Sequence, residues 1–146
     1  MRATIEELEV PRPFTVVLAD DQRAYRDGLA RAIAGHCRLE LVAVATRGDE
    51  AFHAIETLQP DVALVDVRMA GIPGPAVCEL LREHHPDLPT RLVLMSADGS
   101  AAYGAAEADS AVDGFVAKDR SRREICEALV QVAQRPTARP GVLTTG

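Results

Sequence analysis

The chain has 146 residues, with 16 Lys and Arg against 22 Asp and Glu for a formal charge of −6, and 47% of it is hydrophobic. That length supports one domain with its own core, and no apolar run approaches the ~20 residues of a membrane-spanning helix. Three cysteines (Cys37, Cys78, Cys126) without a CxxC pair argue against a disulfide framework or zinc site and for a reducing cytoplasm. The acidic balance and 3% aromatic content argue against nucleic-acid binding by this segment, which needs a basic face or stacking rings.

In chain order, residues 1–12 read as an acidic extension. It carries three glutamates in MRATIEELEV and lacks the apolar stretch of a signal peptide. Phe14 to Ala19 is a continuous apolar run ending in Asp20-Asp21, the pattern of a strand buried on both faces of a parallel sheet. Gln22 to Ala34 repeats Tyr25, Leu29, Ala32 and Ile33 at helical spacing and stops at Gly35. Leu39 to Ala45 is the second strand; Asp49 is expected to cap a helix carrying Phe52, Ile55 and Leu58 that halts before Pro60. Val62 to Val65 is the third strand, followed by a helix from Gly74 to His85 with Val77, Leu80 and Leu81 inward and Pro86 as its stop. Arg91 to Met95 is the fourth strand, Ser100 to Ala108 a weak alanine-rich helix broken by Gly104, and Gly114 to Ala117 the fifth strand. Ser121 opens the last helix, with Glu124 three residues on as a capping box and Ile125, Leu129 and Val132 on its apolar face, ending before Pro136. Residues 135–146 read as a linker or tail, which leaves 13–134 as the folded domain. Strands alternating with helices imply a doubly wound α/β fold with a five-stranded parallel sheet covered on both faces.

Ligands of such sheets bind outside the carboxyl ends of the strands. Asp20 and Asp21 follow the first strand, Asp66 the third, Ser96 the fourth and Lys118 the fifth. Any one alone reads as a cap, a turn former or a solvated charge; five polar residues on one edge of an apolar sheet read as a site. Three adjacent carboxylates repel one another unless a cation neutralises them. Hard oxygen donors at an open edge suit Mg²⁺, which keeps waters and takes one or two carboxylates together with a phosphate oxygen. A carboxylate beside such a cation can act as nucleophile in phosphoryl transfer, with Lys118 and the Ser96 hydroxyl donating to the phosphoryl oxygens.

These residues resemble the receiver domain of bacterial two-component response regulators. The likeness rests on Asp20-Asp21, the loop DVRMAGIPG from Asp66 to Gly74, Ser96-Ala97, Phe115 and Lys118, and runs over roughly residues 14–134. VLADDQRAYRDGLARAI and FVAKDRS look most like the NarL/LuxR type, as does Asp119 in place of a proline after the lysine. The resemblance implies a flavodoxin-like (βα)5 fold and a signalling switch rather than a turnover enzyme, catalysing only its own phosphorylation and dephosphorylation. It implies that Asp66 accepts phosphate from a sensor histidine kinase, and that Asp20, Asp21, Asp66 and the Arg68 carbonyl hold Mg²⁺. It also implies that Ser96 and Phe115 form the switch and that Arg68 and Asp98 tune dephosphorylation, and the two are expected to pair across the entrance.

Further expectations by analogy are homodimerisation through the first and last helices, and DNA contact only through an output domain beyond the Pro140-Gly141 linker. One departure is Ala70, which stands where proline is common in the family. Two rival readings are a pseudo-receiver that only binds proteins, and an Asp-nucleophile Mg²⁺ phosphatase. Arg68 sits where the latter usually has a second acid. Tyr25, Phe52 and the three cysteines read as packing residues, and His84-His85 as an exposed helix end.

Overall fold

The computed structural model describes residues 11–97 and 111–136. In chain order these form β1 (Phe14–Ala19), α1 (Arg23–Ala34), β2 (Leu39–Ala45), α2 (Gly48–Leu58), β3 (Val62–Asp66), α3 (Gly74–His84), β4 (Arg91–Ser96), β5 (Gly114–Ala117) and α4 (Arg122–Gln134). All five strands run parallel in one sheet of order β2-β1-β3-β4-β5. This is the flavodoxin-like, doubly wound arrangement. The expected helix over 100–108 lies outside the described residues, as do residues 1–10, Asp98 and residues 137–146.

The two-residue period of the strands explains how one sheet serves two cores. Val17, Ala19, Ala63, Val65, Leu92 and Leu94 face α2 and α3, where they pack with Ile55, Val77 and Leu81. Val16, Leu18, Val62, Leu64, Val93 and Met95 face α1 and α4, where they meet Leu29, Ile33, Ile125 and Leu129. Both faces are covered, so the central strands read as unbroken apolar runs rather than alternating ones. The opposite end of the sheet is tied by polar contacts. The Asp61 carboxylate accepts the Thr15 amide at 2.8 Å and its hydroxyl at 3.2 Å, and the Thr90 hydroxyl donates to the Pro60 carbonyl at 2.6 Å.

Several boundaries differ from the sequence expectation for physical reasons. Asp66 and Ser96 are the last residues of their strands rather than the first beyond them, because the ladder runs on to Asp66↔Met95 and Ser96↔Ala117. The second helix begins at Gly48, with Arg47 at the cap position and Asp49 inside the first turn. Asp49 is therefore not the cap; its carboxylate takes the Arg47 guanidinium at 3.1 Å. Gln22 caps α1 rather than opening it and His85 caps α3 rather than closing it, whereas Ser121 and Glu124 form the expected capping box on α4. Cys78 and Cys126 are buried, but Cys37 is exposed in the α1–β2 turn and is not a packing residue.

Candidate functional site

The order of the strands places a switch point between β1 and β3: the chain leaves β1 toward one edge and later returns to the other. Connections diverge there and open a crevice at the carboxyl ends. Asp20 and Asp21 stand at the end of β1 and Asp66 at the end of β3. One ligand oxygen from each lies within 4.8 Å of the others, the one such cluster among the described residues. Asp20 is fully buried, Asp66 nearly so, and Asp21 is exposed.

Each carboxylate is held differently. The Gln22 amide donates to Asp20 Oδ1 at 2.7 Å and the Arg68 amide to Asp66 Oδ1 at 3.1 Å, while the Ala70 amide donates to Asp21 Oδ2 at 3.1 Å. α3 starts against the end of β3, where a Cβ on Gly74 would lie 2.3 Å from the Asp66 carbonyl oxygen; no side chain fits there. Burying Met69 anchors the intervening loop in the α2–α3 core. An open groove of about 560 Å³ runs between Asp21 and this loop, lined by Val67, Arg68, Met69, Ala70, Pro73 and Pro75.

Lys118, the first residue after β5, supplies the counter-charge. Its ammonium lies 2.8 Å from Asp20 Oδ2, 2.9 Å from Asp66 Oδ2 and 2.6 Å from Gln22 Oε1. It donates to Gln22 Oε1 and Asp66 Oδ2. The contact to Asp20 Oδ2 is one of charge: that buried oxygen receives no well-directed hydrogen bond. The Tyr25 ring lies under the ammonium at 4.6 Å, and its hydroxyl donates to the Lys118 carbonyl at 3.4 Å. Ser96, buried at the end of β4, accepts the Lys118 amide on its carbonyl at 2.7 Å. Phe115 is half-buried in β5 and packs against the α2–α3 core.

The electrostatics follow from burial and crowding. Burial, the larger cause, together with the nearby Asp20 charge, raises the Asp66 pKa despite the Lys118 hydrogen bond, which lowers it. Burial opposes the charge on Lys118, but its close contacts with the Asp20 and Asp66 carboxylates outweigh that and hold the ammonium above its usual value. Burial, reinforced by Asp20, pushes the Tyr25 phenol up to about 12. Three carboxylates against one ammonium leave these four side chains with a net charge of −2. A set of clustered carboxylate oxygens with one buried oxygen lacking a donor is chemically suited to a hard divalent cation.

The structure thus brings Asp20, Asp21, Asp66, Ser96 and Lys118 to one edge. The Arg68 side chain is exposed there, and Asp98 lies outside the described residues, so their pairing has no structural account. Sequence reasoning missed Gln22 and Tyr25, both in contact with Lys118. Tyr25 was assigned to packing and does lean on the α1–α4 core, but its ring also forms a wall of the site.

A doubly wound domain with this strand order and an acidic edge facing a single lysine is of the receiver type. The model of the response regulator receiver domain family matches residues 16–130, and the chain belongs to that family. Among its relatives, the "probable transcriptional regulatory protein NarL" of Mycobacterium tuberculosis is 35% identical over 124 residues, covering 85% of this chain and 56% of the relative. The nitrate/nitrite response regulator protein NarL of Escherichia coli K12 is 29% identical over 121 residues, covering 83% of this chain and 55% of the relative. The chain therefore spans about half the length of the curated relatives it matches. Among solved structures, the signal receiver domain of NarL from Mycobacterium tuberculosis superposes with a TM-score of 0.79 at 34% identity, covering 86% of this chain and 100% of that one. Among the described residues, no helix is long and apolar enough to cross a membrane.

Proposed function

We propose that residues 13–134 are a phosphorylation-dependent signalling switch in which Asp66 accepts a phosphoryl group from a phosphohistidine of a sensor kinase. The observation that carries this reading is the Asp66 carboxylate itself. It is buried at a strand end, held on one oxygen by the Arg68 amide and on the other by Lys118, and set beside two further acids. A carboxylate oxygen attacks phosphorus, the phosphorus–nitrogen bond of the donor breaks, and the imidazole leaves with its electron pair, giving an aspartyl phosphate.

Asp20, Asp21, Asp66 and the Arg68 carbonyl would hold Mg²⁺, which when bound offsets charge on the phosphoryl oxygens. Lys118 then donates to a phosphoryl oxygen while remaining close to Asp20. The Ser96 hydroxyl and Phe115 are the elements that respond, one by donating to the phosphoryl group and the other by turning into the space left behind. Arg68 and Asp98 set the lifetime of the phosphoryl group.

Residues 1–12 serve as an extension and 135–146 as a linker or tail. By likeness to the transcriptional regulators above, the output is control of transcription through a DNA-binding domain joined by that linker, in the cytoplasm. Pairing of two copies through α1 and α4 would follow phosphorylation.

The test is incubation with acetyl phosphate and Mg²⁺ followed by intact-protein mass spectrometry. The expected result is a gain of one phosphoryl group that is lost in Asp66→Asn. Multiple-turnover hydrolysis of an external phosphoester would instead make the protein a phosphatase. No adduct under any divalent-cation condition would make it a binding module only.

A further inference from the structure

Asp21 is the exposed carboxylate of the three, and a solvent-facing side chain at a strand end has several rotamers open to it. One of its oxygens is nevertheless held, by the Ala70 amide at 3.1 Å. Ala70 is gripped from its other side as well. Its carbonyl accepts the Gly48 amide at 2.9 Å, and Arg47 and Ala70 form an isolated parallel bridge beyond the end of β2. Two hydrogen bonds thus run from the first residue of α2, through Ala70, to Asp21. The approach is close: a Cβ on Gly48 would lie 1.9 Å from the Ile72 carbonyl oxygen, so only glycine lets the loop sit this near α2.

We propose that the Ala70 backbone amide is a positioning group for Asp21, and that the relay from Gly48 through Ala70 sets how tightly the acidic edge binds a divalent cation. This rests on the reading of Asp21 as a cation ligand given above. A carboxylate that ligates through one oxygen has the other to spare, and a donor on the spare oxygen fixes the plane of the group. The donor exists here because position 70 is not proline, which has no N–H to give. The relay also ties the cation site to the β2–α2 turn, at the edge of the sheet farthest from β5. A partner or substitution that shifts that turn would change cation affinity without touching a carboxylate.

The test is Mg²⁺ titration of the ¹⁵N-labelled full chain, reading the dissociation constant from amide chemical shifts, with no phosphodonor present. Ala70→Pro removes the donor. Replacing residue 70 by lactic acid, which turns the amide into an ester, removes it while keeping the side chain, and so carries the test if the proline variant does not fold. Ala70→Gly keeps the donor, and Gly48→Ala pushes the loop away from α2. Loss of an outer contact of this kind typically weakens metal binding by about 10–100-fold. The proline, ester and Gly48→Ala variants should therefore bind at least about tenfold more weakly than wild type, and Ala70→Gly like wild type. Equal or tighter binding by the donor-lacking variants overturns the relay while leaving Asp21 as a ligand. A wild-type protein that binds no Mg²⁺ overturns that ligand reading, and the relay with it.

Discussion

Replacing Lys118 by methionine keeps most of the side chain's length and removes the one cation that, among the described residues, pairs with Asp20 and Asp66. The ion pairs span 2.8 and 2.9 Å, and the three side chains are 8%, 0% and 7% exposed, so solvent screens them little. Truncating one partner of a buried pair typically costs 3–5 kcal/mol, because the other charge is left uncompensated. Two carboxylate oxygens 4.8 Å apart, the outer limit of the cluster, repel by about 3.5 kcal/mol at an effective dielectric of about 20. Protonation of Asp66 offers the folded protein an escape that caps the cost. The expected loss is therefore about 3 kcal/mol at neutral pH in the absence of divalent cations.

The sign of its pH dependence separates charge from packing. The Asp66 pKa is already raised in the wild type, by burial first, and rises further without Lys118. The folded variant then binds protons more readily than the unfolded chain, so its unfolding free energy falls as pH rises. The deficit should shrink as pH is lowered toward about 5 and widen toward about 8. Adding Asp66→Asn, which abolishes one of the crowded charges, should recover most of the loss. Urea unfolding followed by circular dichroism in the presence of a chelator reads both effects. A deficit that is constant across this range and unrelieved by Asp66→Asn would refute the reasoning and leave the ammonium's contact with the Tyr25 ring as its contribution. In the wild type, the raised Lys118 pKa means its stabilisation is complete below 10.5 and is lost only at more alkaline pH.

Two further predictions concern the scaffold. Arg82 on α3 donates to the carbonyls of Leu88 and Thr90 at 2.9 Å each and of Ala111 at 3.2 Å, and pairs with Asp113 at 2.9 Å. Arg82→Met should therefore cost about 3 kcal/mol in denaturant unfolding, and Asp113→Asn in that background should cost little more. Ser121 accepts the Glu124 amide at 3.0 Å and completes the capping box of α4. Ser121→Ala should cost about 1 kcal/mol and Ser121→Asp much less, as read from the denaturant midpoint.

The parts of the fold legible in the sequence were those fixed by burial on two sides. Phe14–Ala19 and Val62–Asp66 announce themselves because an apolar run can end in acid only where the strand leaves the core. The same logic brought out Asp20, Asp21 and Asp66. What stayed hidden was set by contacts across long separations. Gln22 and Tyr25 meet Lys118 from 96 and 93 residues away, and nothing local distinguishes Tyr25 from any aromatic on a helix face. The Ala70 amide is a backbone donor and leaves no trace in side-chain chemistry. Asp49 has the composition of a cap, but the approach of Ile72 requires glycine at position 48 and draws that residue into the helix.

The net charge of −2 on the three carboxylates and Lys118 equals in size that of one divalent cation, and the geometry gives this balance a mechanical consequence. Lys118 is bound at once to the end of β1 through Asp20 and to the end of β3 through Asp66, while its own backbone continues β5 and donates to Ser96 at the end of β4. Four strand ends thus meet at one residue, two of them at its ammonium. In the proposed reading, new anionic oxygens on Asp66 compete with Asp20 for that ammonium. In that reading, movement of Lys118 would pass along β5 to Phe115, three residues earlier. Close-packed interiors switch between discrete packings rather than deform smoothly. In that reading the half-buried Phe115 ring, packed on the α2–α3 core, would be the place where displacement of one charge becomes a change of surface.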